Sequence, residues 1–282
     1  MPHRKWILLV CAVSTLIWLT SCAETASGPK VGTSEYYWTA AVETFKTGDY
    51  VKAGEHLDRV SRSDSPLAAK ARPWNLVLRG GLASGYTYLE DTYELGSKVF
   101  GINKTPFVRQ ISQYQKMADQ YATDFAEAFL TFRSAHQDPD VSLAFSYPTG
   151  SASPSPDLSK VGKGYFPSES DLAKVEDATL KRGVLLAACE AVGAADDTAK
   201  AVQYFSMGEV RVPKDVFLLA MAKKLDQLSE VYDSKHRDKP AIRAKMQETA
   251  LEVAKSLPES KETKALIQKL EKAMKGAGKR AS

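Results

Sequence analysis

The sequence predicts an all-α protein, and three observations carry that prediction. Strong helix formers fill most of the chain from Ser34 onward. Runs of β-branched residues long enough for a strand are almost absent. One stretch, residues 106 to 136, repeats its apolar residues at alternating steps of three and four. Antiparallel helix pairs, irregular in length and interrupted by a long central loop, are the expected architecture.

The chain begins with Met1-Pro2-His3-Arg4-Lys5, followed by an apolar run from Trp6 to Leu19 and then Thr20-Ser21-Cys22. A basic start, an apolar stretch and a small-residue end is the order of a secretory signal over 1–21. The apolar run is broken by Ser14 and Thr15 and falls short of the roughly 20 residues that a membrane-spanning helix needs. Leu19-Thr20-Ser21-Cys22 resembles the lipobox of bacterial lipoproteins, in which cleavage leaves the cysteine first and lipid is attached to it. That resemblance implies fatty acylation, palmitate or a similar chain, at Cys22. More than one acyl chain on the cysteine would give stable attachment. The alternative is an ordinary signal peptide with an incidental cysteine. Ala23 and Glu24 follow; in the Gram-negative lipoproteins it resembles, an aspartate there signals inner-membrane retention, so the resemblance implies the outer membrane, facing the periplasm.

About 260 residues remain after the leader, enough for one elongated helical domain or two small ones. The leader takes Arg4 and Lys5 with it, so 36 basic residues face 34 acidic ones, and that balance gives no reason to expect nucleic acid as a partner. Cys11 lies in the leader and Cys22 at the anchor, which leaves Cys189 in the body and excludes an intramolecular disulfide by counting. Its setting, Leu185-Leu186-Ala187-Ala188-Cys189, is that of a small core residue.

Residues 22–33 are small and polar and read as a tether after the lipidated cysteine. An N-terminal helical region is expected over 34–136. Its first pair is similar to a tetratricopeptide unit, a helix-turn-helix of roughly 34 residues. Gly48-Asp49-Tyr50 stands at the turn, Ala53 at the close-packing position, Leu57 and Val60 after it and Pro66 near the end. Tyr37, Ala40, Ala41 and Thr44 stand upstream, with Thr44 departing from the aromatic type. A second set, Leu185, Ala188, Cys189 and Val192 followed by Ala201, Phe205 and Gly208, keeps the same offsets, with Pro213 at the closing-proline position that Pro66 just overshoots. The two sets lie 148 residues apart, which is no multiple of about 34, so one uninterrupted array is excluded.

Residues 66–99 are expected to form a helix pair broken near Gly80-Gly81, and 106–136 a single long helix. The latter carries Ile111, Tyr114, Ala118, Tyr121, Phe125, Ala128 and Phe132 as one stripe, a packing seam rich enough in aromatics to keep a groove in view. Tyr86, Tyr93, Tyr114 and Tyr121 are the candidate groove residues. Residues 137–168 are dense in proline, glycine and serine and read as a loop whose Phe145, Tyr147, Tyr165 and Phe166 fold back on the helices. Ser168 and the acidic residues after it offer a cap for a C-terminal helical region over 169–275, which ends in two helices separated near Pro258. A basic tail, 276–282, closes the chain. From Lys235 onward 13 Lys and Arg face 6 Asp and Glu, which suits either a solvated capping helix or an acidic or lipid neighbour.

Catalytic, metal and cofactor sites are expected to be none. His56, His136 and His236 stand apart from one another, and neither a paired-cysteine zinc pattern nor a phosphate-cradling glycine loop is present. Two functions remain. One is a membrane-tethered, non-catalytic scaffold or assembly factor for an envelope protein, as the tetratricopeptide likeness implies. The other is a periplasmic binder of a small molecule or peptide, an accessory to an uptake system, as the aromatic content suggests.

Overall fold

Thr33 opens the first helix, α1 (Ser34–Thr47), by accepting the Tyr36 N–H on its hydroxyl. Gly48 closes it in the left-handed conformation, at φ 83°, and Asp49 at once caps α2 (Tyr50–Ser61) through the Lys52 N–H. Two residues thus end one helix and start the next. The helices run antiparallel, with Phe45 against Tyr50 and Arg59 donating to the Tyr37 hydroxyl at 2.7 Å. This computed structural model describes residues 28–144, 158–194, 197–206, 208–233 and 235–278. The signal segment, Cys22, Phe145, Tyr147 and the last residues of the basic tail lie outside the described residues.

The protein is all-α in the main: ten helices and one two-stranded sheet among the described residues. The organising element is α3 (Leu67–Ser97), a single helix of 31 residues. It corrects the expected break at Gly80-Gly81. Both glycines are buried inside the helix, and at Gly81 another helix crosses so closely that a side chain would not fit. Isolated glycine costs a helix about 1 kcal/mol relative to alanine, a small term beside the packing it permits here.

An equally long helix, α4 (Thr105–Ala135), returns antiparallel along α3. The expected seam is present: Tyr114, Ala118, Phe125 and Phe132 are buried, with Ile111, Tyr121 and Ala128 partly so. Strand β1 (Asp140–Leu143) and the short helix α5 (Leu158–Gly162) follow, so the expected loop over 137–168 holds regular structure at both ends. Phe166 folds back against Phe107 and Tyr93, at ring separations of 5.2 and 6.0 Å, whereas Tyr165 stays exposed.

Ser168 caps α6 (Glu169–Ala191) by accepting the Asp171 N–H. Cys189 is fully buried in this helix, as its small apolar neighbours suggested. After α7 (Thr198–Ser206) the chain forms β2 (Val210–Pro213), which pairs antiparallel with β1 from Asp140↔Pro213 to Leu143↔Val210. Neither strand was expected. Pro213, read as the close of a repeat unit, instead ends a strand and precedes α8 (Lys214–Glu230). Helices α9 (Pro240–Ser256) and α10 (Lys261–Gly278) complete the fold, separated around Pro258 as expected, with α10 running beyond residue 275 into the expected tail. No helix among the described residues is long and apolar enough to cross a membrane.

Candidate functional site

Three successive helices meet at an open cleft of about 500 Å³. Asp58, Ser61 and Arg62 come from α2 and the turn after it; Arg72, Asn75 and Arg79 come from α3; Asp124, Glu127 and Thr131 come from α4. Arg79 holds the floor. Its guanidinium reaches Asp58 Oδ1 at 2.6 Å and Asp124 Oδ2 at 2.9 Å, while its Nε donates to Asn75 Oδ1 at 3.1 Å. One planar cation therefore fixes α2, α3 and α4 relative to each other, with donors set at the angles that carboxylates accept. Arg72 adds a bond from Nε to the Ser61 carbonyl at 3.1 Å. The rim carries both signs of charge, with Arg62 paired to Asp58 and Glu127 paired to Lys245. The Lys245 ammonium holds the Glu127 carboxyl below the usual glutamate range, which keeps that edge of the cleft anionic at neutral pH.

A second cleft, about 400 Å³, lies between the Gly48-Asp49 turn and α6, lined by Tyr50, Glu176, Asp177, Leu180 and Lys181 among others. Beneath it, joined through Glu176, the structure places the four candidate groove tyrosines, none of which lines the cleft. It brings them together, but inward: Tyr86, Tyr93 and Tyr114 are buried and Tyr121 is half-buried, so they form a wall beneath Glu176 rather than an open aromatic groove. Tyr86 and Tyr121 stack at 5.7 Å, and Tyr93 meets Tyr114 edge-on at 5.3 Å. Tyr86 donates to Glu176 Oε1 at 3.4 Å and Tyr114 to Oε2 at 3.5 Å.

Burial dominates the chemistry of this cluster. It pushes Tyr93 and Tyr121 up to about 12 and raises Tyr86 and Tyr114 as well, so all four hydroxyls stay protonated, and those of Tyr86 and Tyr114 donate to Glu176. Glu176 is raised above its ordinary 4.5, because desolvation outweighs the two tyrosine hydrogen bonds. The folded protein therefore holds that proton more tightly than the unfolded chain. Ionising Glu176 costs stability; the cost is absent below the ordinary glutamate value and fully present above the raised one. Glu176→Gln, which keeps an acceptor but no charge, is expected to melt roughly 2–4 °C above the parent at pH 7, the size of about 1 kcal/mol in a protein this large. The gain should vanish in melts at pH 4. A gain of equal size at both values would show that the charge on Glu176 is irrelevant.

The three histidines remain apart in the structure. His56 stacks on Tyr37 at 6.0 Å, His136 lies 4.8 Å from Phe132 with Nε2 3.1 Å from the Asp140 carbonyl, and His236 Nδ1 is 2.7 Å from Asp233. Sequence reasoning did not single out Arg79, Asp58, Asp124 or Glu176. The one available signal was that Arg79 is charged within an otherwise apolar run, Leu76 to Leu82, which calls for a partner.

Comparison with known proteins finds no matching family, no similar curated protein and no similar solved structure.

Proposed function

We propose that the chain is a lipid-anchored protein of the bacterial cell envelope, held through Cys22 at the outer membrane and facing the periplasm, that serves as a non-catalytic scaffold for another envelope protein. The observation that carries the scaffold reading is the cleft across α2, α3 and α4. It is open, polar and lined by charges of both signs, and Arg79 fixes its three walls. Such a surface suits a polar segment of a protein, which can supply a counter-charge for each rim residue. The short Gly48-Asp49 connection presses α1 against α2 and presents α2 at the cleft edge, as a tetratricopeptide-like hairpin does. Anchorage rests on the signal-like leader and Leu19-Thr20-Ser21-Cys22.

A second reading, a binder of a small molecule or peptide serving an uptake system, is favoured by Glu176, a raised carboxyl with two tyrosine donors at the edge of a separate cleft. In-envelope crosslinking followed by mass spectrometry separates the two. The scaffold reading expects a reproducible envelope-protein partner whose recovery falls about tenfold with Arg62→Glu and Glu127→Lys together, equivalent to about 1.4 kcal/mol of binding. Absence of any protein partner, with a ligand retained by the purified chain, would replace it with the binder.

A further inference from the structure

At the end of α3 where it turns into α4, the surface changes character. Phe100 projects fully into solvent, and Leu95, Val108 and Tyr165 around it are each more than half exposed. Packing within the chain does not explain them, because the turn already has its own core. A side chain at Gly164 would meet Val99 and Ile102 at 3.0 and 3.3 Å, and Phe166 seals the underside against Phe107. The apolar tip is backed by firm structure and points outward.

Cations are dense in the same stretches of chain. Lys98, Lys104, Arg109, Lys160 and Lys163 all lie in the two segments that form the tip, 94–109 and 158–167, against Glu94 alone. Of these five cations only Lys98 has an ion-pair partner among the described residues, that same Glu94 at 2.8 Å. A protruding aromatic with exposed apolar neighbours in segments rich in unpaired cations is complementary to a soft anionic surface. Apolar groups enter the acyl boundary, long basic side chains keep their charges at the headgroups, and an amphipathic tyrosine sits between them. A protein partner would need a preformed pocket for Phe100 and an acidic ring around it.

We infer that this tip is a second membrane contact, which inserts Phe100 into an anionic lipid surface. The inference rests on the anchored reading for what brings the body to a bilayer, and the dimensions agree with it. Ser34 bonds to Ser63 at 3.0 Å, so the N-terminus enters beside the start of α3, at the opposite end from Phe100. A helix of 31 residues is about 46 Å long, and the twelve residues from Cys22 to Ser34 reach at most about 43 Å. Lipid at one end and Phe100 at the other would lay α3 along the membrane plane.

The test uses the purified full chain with benzoylphenylalanine replacing Phe100, or Glu259 as the exposed control, mixed with vesicles of phosphatidylglycerol and phosphatidylethanolamine and irradiated. At least tenfold more phospholipid adduct is expected at position 100 than at 259, falling severalfold with Lys104→Glu and Lys163→Glu or when phosphatidylcholine is the only lipid. Equal yields at the two positions would overturn the inference, as would capture of a protein instead of lipid by the position-100 probe in intact cells. Fatty-acid labelling of the same preparation reports Cys22 separately. A labelled Cys22 without adduct at 100 defeats the tip alone, and an adduct at 100 with Cys22 unlabelled defeats the anchor alone.

Discussion

Gly81→Ala is expected to destabilise the protein by about 3 kcal/mol, the upper end for overpacking, and to lower the melting temperature by roughly 6–12 °C. The added Cβ would stand 2.5 Å from the Val184 Cα and 2.9 Å from its amide nitrogen. Those are backbone atoms, which cannot rotate aside, so α3 and α6 would have to move apart. The contact is mutual: Gly183 on α6 faces the Gly81 carbonyl and the Gly85 backbone, so Gly183→Ala should cost a similar amount. Alanine is favoured over glycine by about 1 kcal/mol inside a helix, and the predicted loss is what remains after that gain. Gly54, inside α2 with nothing within 4 Å of its added Cβ, is the control. Gly54→Ala should stabilise by roughly 0.5–1 kcal/mol. Thermal unfolding followed by circular dichroism reads all three, and a neutral Gly81→Ala would mean that the α3–α6 crossing is looser than described.

Arg237 gives the second large effect. Its side chain is only 4 % exposed; it pairs with the equally buried Glu90 of α3 and reaches Asp119 Oδ1 of α4 at 3.2 Å. Its guanidinium also lies 5.3 Å over the Tyr232 ring. Burial pulls Arg237 down to about 10, which leaves it a cation at neutral pH. The residue sits in the connection between α8 and α9, so the pair latches the C-terminal helices onto α3 and α4. Arg237→Ala strands the Glu90 carboxylate away from water, and breaking a buried pair in this way costs about 3–5 kcal/mol. Asp119 keeps Lys239 as a partner and suffers less. Arg237→Met combined with Glu90→Gln removes both charges and should recover most of the loss. A double variant as unstable as the sum of its singles would show that the two charges are not coupled.

These two effects mark where sequence reading reached and where it stopped. Local chemistry was legible: the Gly48-Asp49 turn, the Ser168 cap, the three-and-four stripe of α4 and the interruption near Pro258 all depend on neighbours in the chain. Gly80-Gly81 was misread as a break because a helical glycine's meaning lies in what stands opposite, here Val184 about a hundred residues later. The β1–β2 ladder joins Leu143 to Val210, and four-residue strands are too short to display an alternation. Tyr86, Tyr93, Tyr114 and Tyr121 come together because α3 and α4 run side by side, but which way they face is set by α6 closing over them through Glu176. The charged cleft was invisible for the same reason: Asp58, Arg79 and Asp124 become one site only when three helices meet.

The scaffold reading and the lipid-facing tip both place the helical body at a membrane, and Cys22 is the residue proposed to hold it there. Metabolic labelling with a tagged fatty acid tests that placement most directly. The account predicts label on the native chain and none after Cys22→Ala; an unlabelled native chain, or label that persists without Cys22, would contradict it.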